Sequence, residues 1–510
     1  MTRIVTTSQM RAIEQCGVDA GVSVSELMTQ AGQALAHWLE TRIDSRRVLI
    51  FIGPGNNGGD GVVCARELLR CRCDVALAVY QRNDMEHVEA PVFTLGDPGW
   101  QEWLAGQLQQ AGVIVDALFG TGQNRPLDGL LEAVIQQVNA DGLPNALRVA
   151  VDVPTGVWDD GSRVAGAAFR ADLTLCLGQM KVATCLYPGA EYAGDVEVLP
   201  LGIPSTCIQD LPFRLADATE VSPLFAPRAS NSNKGTWGRV SIVGGSGNYL
   251  GAPALAALAA YRVGAGLVEL IAGEAVRNSV AAHVLEVIFS VVPDGDGYLS
   301  PKALPAILES AQHARALLMG PGLGHTGGTQ ELIARVMREK FSPSLKAVIV
   351  DADGLNALSQ LHEWHDHNFQ LILTPHPGEM ARLTGKTIES VQANRLNIAL
   401  EHSRAWNAVV VLKGAGTVVA APDGRATINS SGGPNLATAG TGDVLSGTIA
   451  GLVAQGLAAY EAAVAGVYVH GLAGDLMQNE LGDAGMLASD LLTKLPLARK
   501  YLEQGPTNAG

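Results

Sequence analysis

Residues 409–417 read VVVLKGAGT, and residues 439–445 read AGTGDVL. The first stretch predicts a strand that ends in a flexible, positively charged turn at Lys413. The second predicts the start of a helix, because small residues precede Asp443 and apolar residues recur after it. Unpaired N–H groups and the helix dipole favour an anion such as phosphate at such a helix start. A carboxylate there can take a proton from an attacking hydroxyl, so we predict a phosphoryl-transfer site.

The composition is that of a globular enzyme. The chain has 510 residues, of which 47% are hydrophobic and 17% are charged. This length is sufficient for two to four domains, each with a full core. The net charge of −15 argues against a nucleic-acid partner, because phosphate backbones attract basic surfaces.

The sequence predicts neither a signal peptide nor a membrane span. The N-terminus has no apolar h-region, and the most apolar stretch, Ala252–Leu270, contains Arg262. That stretch predicts a buried helix followed by a strand, so we expect no membrane partner and a cytoplasmic location. All seven cysteines lie at or before Cys207, and their odd number without framework spacing predicts reduced thiols.

Strands and helical stretches alternate along the chain in two series, which predicts two α/β domains with mainly parallel sheets covered on both faces. Prolines and charges break the periodicity between residues 202 and 227, so we place the domains at residues 1–218 and 219–510. The predicted strands are Val48–Ile52, Val75–Tyr80, Val113–Leu118, Val149–Asp152, Leu173–Leu177 and Val196–Leu199, then Val240–Val243, Leu267–Ile271, Ala316–Met319, Ala347–Asp351, Leu371–Thr374 and Val409–Leu412.

The first predicted strand leads into GPGNNGGDG, residues 53–61. This segment satisfies GxGxxG, and Asp74 follows about twenty residues later, as in a dinucleotide-binding Rossmann unit. However, Pro54 removes an N–H group, and two asparagines and Asp60 crowd the helix start. The asparagine oxygens could instead bind a hard cation, and a capped helix without ligand is a third interpretation.

Two further acids end predicted strands at the same edge of the sheet. Asp116 precedes FGTGQNRP, residues 119–126, and Asp152 precedes VPTG, residues 153–156. Ligands bind outside the carboxyl ends of parallel strands, so both acids are expected at one pocket. Arg125 and the nearby glycine amides could hold a phosphate there.

These residues resemble the NAD(P)H-hydrate epimerase domain, also called the YjeF N-terminal domain, across about residues 1–215. The matching motifs are Gln9–Glu14, Gly55–Gly61, Gly120–Gly122 and Val151–Gly156. One departure is Thr29, where the family more often has Glu. The resemblance implies that Asn57, Asp116 and Thr155 hold K⁺ and that Asp152 is the catalytic acid/base. It implies substrate contacts from Asn56, Asn57, Gly58, Gly59, Asp60, Gly120, Thr121, Gly122, Gln123, Asn124, Arg125, Pro126 and Asp152.

The chemistry of the implied substrate fits such a site. In hydrated NAD(P)H the hydroxyl lies on a ring carbon next to nitrogen, so nitrogen can expel hydroxide. Water then re-enters the planar iminium from either face. One carboxylate that gives and takes a proton suffices, and contributes on the order of 10²–10⁴-fold.

Residues 225–500 resemble the ADP-dependent NAD(P)H-hydrate dehydratase, a ribokinase-like domain. The matching motifs include Val243–Ser246, Gly320–Gly324, Asp351–Asn356, Thr374–Glu379, Lys413–Thr417 and Gly440–Asp443. The resemblance implies that Asp443 is the base during phosphoryl transfer from ADP, with Mg²⁺ beside the nucleotide. It implies nucleotide contacts from Lys413, Gly414, Ala415, Gly416, Thr417 and Gly442, and contacts to the hydrated cofactor from Ala252, Gly322, His376 and Asp443.

Both resemblances together indicate the family of bifunctional NAD(P)H-hydrate repair enzymes. One domain would interconvert the R and S forms of hydrated NADH or NADPH, and the other would dehydrate the S form, converting ADP to AMP and phosphate. The alternatives are a ribokinase-type small-molecule kinase with a non-catalytic N-terminal binding domain, or a scaffold like the related domain of mRNA-decapping proteins. We also expect a homo-oligomer, since the small residues of Pro253–Tyr261 permit close subunit packing.

Overall fold

The computed structural model describes residues 2–43, 47–85, 88–141, 146–159, 161, 163–225, 227–361 and 363–504. The chain separates into a first compact unit of residues 3–213 and a second unit that begins at Arg214. Each unit is built on its own mainly parallel sheet, so the predicted α/β class is confirmed. None of the described helices is both long and apolar enough to cross a membrane.

The first unit contains a sheet of seven parallel strands in the order β4-β3-β2-β5-β6-β7-β9. A short strand pair, β1 with β8, lies outside this sheet. The strands are β1 (Thr2–Val5), β2 (Val48–Ile52), β3 (Val75–Val79), β4 (Val92–Thr94), β5 (Val113–Ala117), β6 (Leu147–Val151), β7 (Leu173–Leu177), β8 (Met180–Lys181) and β9 (Asp195–Leu199). The helices are α1 (Thr7–Asp19), α2 (Val24–Glu40), α3 (Asn56–Arg70), α4 (Trp100–Leu108), α5 (Gly129–Asp141) and α6 (Gly189–Ala193).

Both faces of this first sheet are buried, which explains why its central strands are continuous apolar runs. Ile50 and Ile52 pack into the core on one face, whereas Leu49 and Phe51 pack into the core on the other. In the sheet, β3 lies on one side of β2 and β5 lies on the other side. The order of the strands therefore reverses direction at β2. The carboxyl ends of β2 and β5 therefore form the topological switch point, where open α/β sheets bind ligands.

The second unit has parallel strands in the order β13-β12-β11-β16-β17-β18-β19, followed by the antiparallel strands β20 and β21. Its strands are β10 (Phe213–Ala216), β11 (Arg239–Val243), β12 (Leu267–Ala272), β13 (Ile288–Val291), β14 (Asp294–Gly295), β15 (Tyr298–Leu299), β16 (Ala316–Met319), β17 (Ala347–Val350), β18 (Leu371–Leu373), β19 (Val409–Leu412), β20 (Val418–Ala420) and β21 (Ala426–Asn429). Its helices are α7 (Ala218–Val221), α8 (Gly251–Val263), α9 (Glu274–Val280), α10 (Leu304–His313), α11 (Gly327–Met337), α12 (Asp353–Leu358), α13 (Pro377–Thr384), α14 (Ile388–Gln392), α15 (Arg395–Ala405), α16 (Thr441–Ala454), α17 (Ala459–Leu481) and α18 (Ala488–Gln504).

The small residues of α8 are used inside the second unit. Ala256 and Ala260 are fully buried, and a Cβ added at Gly447 of α16 would lie 2.1 Å from the Ala256 carbonyl oxygen. The two helices therefore pack backbone against backbone. Ala256 and Ala260 are therefore covered within the chain, and the expectation of subunit packing through this helix stays a prediction.

The prediction of reduced thiols is wrong for one pair of cysteines. Cys16 on α1 and Cys207 form a disulfide across a sequence separation of 191 residues. Such distant positions carry no spacing pattern, so only the fold brings the two sulfurs together. The free cysteines of the described residues are Cys64, Cys71, Cys73, Cys176 and Cys185.

Candidate active sites

The first unit has a cavity of about 950 Å³ at the carboxyl ends of β2, β5 and β6. This volume is within the range typical of small-molecule and cofactor sites. Residues that follow each of the three strands line the cavity, because the parallel strands end at the same edge of the sheet. The acids that were predicted at separate strand ends therefore lie close to one pocket.

The motif after β2 forms the start of α3, and its N-cap Gly55 makes no side-chain cap. The first N–H groups of the helix therefore remain available to an anion. Gly58 must be glycine, because a Cβ there would lie 1.9 Å from the Gly53 carbonyl oxygen. Of the predicted contacts in this motif, Asn56, Asn57 and Asp60 line the cavity, whereas Gly58 and Gly59 do not.

The loop after β5 forms the opposite part of the lining, and all seven predicted residues of Gly120–Pro126 face the cavity. Two bonds tie this loop to the segment after β6. Gly156 N donates to Gln123 Oε1 at 2.9 Å, and Gly122 N donates to Asp159 Oδ1. Hydrogen bonds to Gly156 and Asp159, which follow β6, therefore fix the position of the loop Gly120–Pro126.

Asp152 lies directly after β6 in a left-handed backbone conformation, with φ of 69°. Its Oδ1 accepts a hydrogen bond from Leu177 N at 3.0 Å and forms an ion pair with Lys181. Lys181 is 2% exposed, and its Nζ also donates to the Leu177 carbonyl at 2.6 Å. Sequence reasoning missed Lys181, although a lysine between Met180 and Val182 in an apolar segment is a signal of a paired, buried charge.

Asp116 is completely buried on β5 and is held by Thr155. Thr155 Oγ1 and Thr155 N donate to its two carboxylate oxygens at 2.8 and 2.7 Å. Burial raises the pKa of Asp116 to about 6, although the bonds from Thr155 and Leu118 oppose this shift. Among the described residues no cation pairs with this carboxylate.

The surroundings of Asp116 are compatible with a monovalent cation. A Cβ at Gly120 would come within 3.0 Å of Asn57 Oδ1, so the glycine leaves room at that oxygen. Asn57 Nδ2 is buried without a hydrogen-bond partner, which leaves this amide incompletely satisfied. Amide, hydroxyl and carboxylate oxygens are the ligands that a hard cation prefers.

In the second unit, the turn after β19 is organised by Arg395 of α15, which sequence reasoning also missed. Arg395 is 4% exposed, and its Nη2 donates to the carbonyls of Leu412 and Gly416 at 3.0 and 3.3 Å. Gly414 and Gly416 both have positive φ, at 143° and 62°. The predicted nucleotide turn therefore has a defined shape that a buried guanidinium maintains.

Asp443 lies in the first turn of α16, beside the ammonium group of Lys413. The N-cap Gly440 has φ of 91° and provides no side-chain cap. Lys413 Nζ contacts Asp351 Oδ1 at 3.0 Å, and it would lie 3.3 Å from a Cβ at Gly442. Burial raises the pKa of Asp443 to about 7, and the charge of Asp351 adds to this shift while Lys413 opposes it. Near neutral pH this carboxyl group is poised to accept a proton.

The other predicted substrate residues of the second unit lie on neighbouring segments. A Cβ at Gly322 would lie 3.2 Å from Ala252 Cβ, so these two residues are in contact. His376 caps α13, and its Nδ1 accepts a hydrogen bond from Gly378 N at 3.0 Å. Burial lowers the pKa of His376, and the charge of Lys413 contributes to the same effect.

Comparisons with known proteins agree with both units. Residues 24–183 match the family model of the YjeF-related protein N-terminus, and residues 240–497 match that of NAD(P)H-hydrate dehydratase. The chain is 36% identical to a bifunctional NAD(P)H-hydrate repair enzyme of Thermofilum pendens, with 98% of this chain and 97% of the relative covered. A relative of the same description in Moorella thermoacetica is 37% identical, with the same coverage of 98% and 97%.

A solved structure matches the second unit. The ADP/ATP-dependent NAD(P)H-hydrate dehydratase from Bacillus subtilis, co-crystallised with ATP and Mg²⁺, is 31% identical with a TM-score of 0.50. The match covers 57% of this chain and 99% of the solved chain. The predicted Rossmann-like first domain and ribokinase-like second domain are confirmed.

Proposed function

The chain belongs to the bifunctional NAD(P)H-hydrate repair enzymes, and we propose that its two units carry out the two steps of that repair on hydrated NADH and NADPH. The epimerase domain, residues 1–218, interconverts the R and S forms. The dehydratase domain, residues 219–510, removes water from the S form and converts ADP to AMP and phosphate. The main support for this proposal is that each family model covers one of the two sites, with Asp152 in the first and Asp443 in the second.

In the epimerase domain, the hydrated nicotinamide occupies the 950 Å³ cavity beside Asp152. The start of α3, with its uncapped N–H groups, and the loop Gly120–Pro126, which brings Arg125 to the cavity, bind the remainder of the nucleotide. Asp152 takes part in the proton transfer that accompanies loss and addition of water at the ring carbon. Lys181 holds the Asp152 carboxylate in place and supplies its counter-charge.

Asn57, Asp116 and Thr155 would hold K⁺, and the bound ion would supply a counter-charge to the buried Asp116 carboxylate. We expect replacement of K⁺ by choline to slow epimerisation about tenfold and to lower the melting temperature of the first unit, since a charge would lose its partner. In the variant Thr155→Val, neither the epimerisation rate nor the melting temperature should change when choline replaces K⁺. Equal rates and melting temperatures in the two salts would contradict the ion site.

In the dehydratase domain, the turn Lys413–Thr417 and the start of α16 bind ADP, and Mg²⁺ would bind together with the nucleotide. The terminal phosphoryl group lies against Gly442 and the ammonium of Lys413. Asp443 takes the proton from the substrate hydroxyl as phosphate is transferred to it. The phosphorylated hydroxyl is a good leaving group, and its elimination restores the ring double bond.

An absorbance assay with the purified R and S forms tests this function. With the S form and ADP, the near-ultraviolet absorbance of reduced nicotinamide should return. With the R form it should return after epimerisation. A stable phosphate ester without recovered absorbance would instead identify a small-molecule kinase. Parallel reactions with ATP determine which nucleotide is preferred.

Two predictions from the sequence remain proposals. A cytoplasmic location agrees with the pool of nicotinamide nucleotides that the enzyme would repair. A homo-oligomer would not use the buried Ala256 and Ala260 of α8, which pack against α16 within the chain. Sedimentation of the purified chain distinguishes the oligomer from a monomer.

A further inference from the structure

Two carboxyl groups of the epimerase cavity have no partner within the described residues. Asp60 on α3 lines the cavity and is only 8% exposed, but no hydrogen bond or ion pair engages its side chain. Glu14 on α1 lines the same cavity and is likewise unengaged. A buried carboxyl group is normally bonded, so the unengaged Asp60 side chain is available to a ligand, as is the half-buried Glu14.

Asp152 differs from these two groups because a cation already accompanies it. Lys181 and Leu177 N both contact its Oδ1. Asp60 has no such counter-charge in contact. Burial raises the pKa of Asp60 to about 8, with Asp152 and Glu14 adding to the shift and Lys181 and Arg82 opposing it. Burial therefore favours the neutral form of Asp60, whereas the Asp152 carboxylate is paired with Lys181.

Epimerisation involves both proton donation and proton acceptance, and two differently ionised carboxyl groups can divide these tasks. Expulsion of hydroxide from the ring needs a proton donor, because hydroxide is a poor leaving group. The return of water to the iminium needs a proton acceptor. An ion-paired carboxylate suits the second task better than the first, and a neutral carboxyl group suits the first.

We propose that Asp60 is the acid that protonates the departing hydroxyl group, while Asp152 accepts the proton of the entering water. This inference rests on the proposed epimerase function of the first unit. As the ring C–O bond breaks, its electron pair goes to oxygen, which takes the Asp60 proton and leaves as water. The nitrogen lone pair forms the iminium bond. A second water then attacks the same carbon and gives its proton to Asp152.

The two acids exchange roles in the reverse direction, so one pair serves both epimers. One water leaves and one enters, and one proton moves from Asp60 to Asp152. For repeated turnover in one direction the proton returns to Asp60 through the shared cavity. Glu14 is placed for this return, because it lines the cavity and interacts electrostatically with both acids.

The variant Asp60→Asn tests the proposal, because asparagine keeps the shape and cannot release a proton. We expect kcat for epimerisation to fall about 10²-fold, with KM changed less than about threefold. The wild-type rate should decline above about pH 8, and the residual rate of Asp60→Asn should lack this decline. A variant with kcat within threefold of wild type and the same alkaline decline would overturn the proposal.

Glu14→Gln provides a second measurement that does not remove the proposed acid. Loss of the Glu14 charge should lower the pKa of Asp60, so the alkaline decline should begin at lower pH. An unchanged decline would count against Asp60 as the acid. Dehydration of the S form by each full-length variant controls for folding. Absence of epimerisation in the wild type would refute the proposed function itself, whereas normal epimerisation by Asp60→Asn would refute only this inference.

Discussion

At the residue scale, the sequence identified the acids that end strands or begin helices, but not the buried cations Lys181 and Arg395. Asp152 and Asp443 each stand beside a glycine turn at an element boundary, which is a local signal. Lys181 and Arg395 act through carbonyl and carboxylate groups that are distant in sequence. Neither lies in a recognisable motif, so only their burial reveals their role.

Arg395→Met should weaken nucleotide binding. Methionine retains much of the side-chain volume but donates no hydrogen bond to the carbonyls of Leu412 and Gly416. We expect KM for ADP to rise about tenfold and the free energy of unfolding to fall by about 1–3 kcal/mol. Steady-state kinetics and denaturant titration measure both effects. The exposed Arg404→Met on the same helix is the matched control, and equal KM values for the two variants would contradict the argument.

At the element scale, the central strands were predicted to within two residues at either end, because burial on both faces makes them continuous apolar runs. The edge strands β4 and β13 were not predicted. Both have largely exposed or half-exposed side chains, so no hydrophobic pattern marks them. The helix α16 was predicted from its start, but the sequence did not show that α8 would pack against it.

Gly447→Ala should separate α8 and α16. The added Cβ would meet the Ala256 backbone at 2.1 Å, and backbone cannot move aside as a flexible side chain can. The expected loss of stability is about 1–3 kcal/mol, which exceeds the roughly 1 kcal/mol that alanine contributes to helix propensity. Thermal unfolding of the second unit measures it. Gly251→Ala at the start of α8, where nothing lies within 4 Å, should not destabilise the unit.

At the scale of the whole molecule, each unit contains a complete set of candidate catalytic residues. Among the residues that the structure describes, those lining the cavity of the first unit lie between Arg11 and Leu201, whereas Lys413 and Asp443 belong to the second unit. Epimerisation and dehydration should therefore be separable by single substitutions in the full-length chain.

Asp152→Asn should leave dehydration of the S form unchanged while slowing recovery of absorbance from the R form to the spontaneous rate. Asp443→Asn should lower dehydration at least about 10²-fold and leave epimerisation intact, since it removes only the proton acceptor of the second site. Separate absorbance and chromatographic assays follow the two reactions. Loss of both activities in either variant would show that the sites depend on each other.

The sequence by itself determined the two α/β domains, the central strands and the glycine turns with their acids, because these depend on hydrophobic period and on residues adjacent in the chain. The tertiary structure decided which groups meet. It placed Lys181 on Asp152, joined Cys16 to Cys207 and covered Ala256 and Ala260 of α8. It also buried Asp60 without an ion pair to any of the described residues. These outcomes depend on packing between segments distant in sequence, and charge and burial at a site are set by that packing.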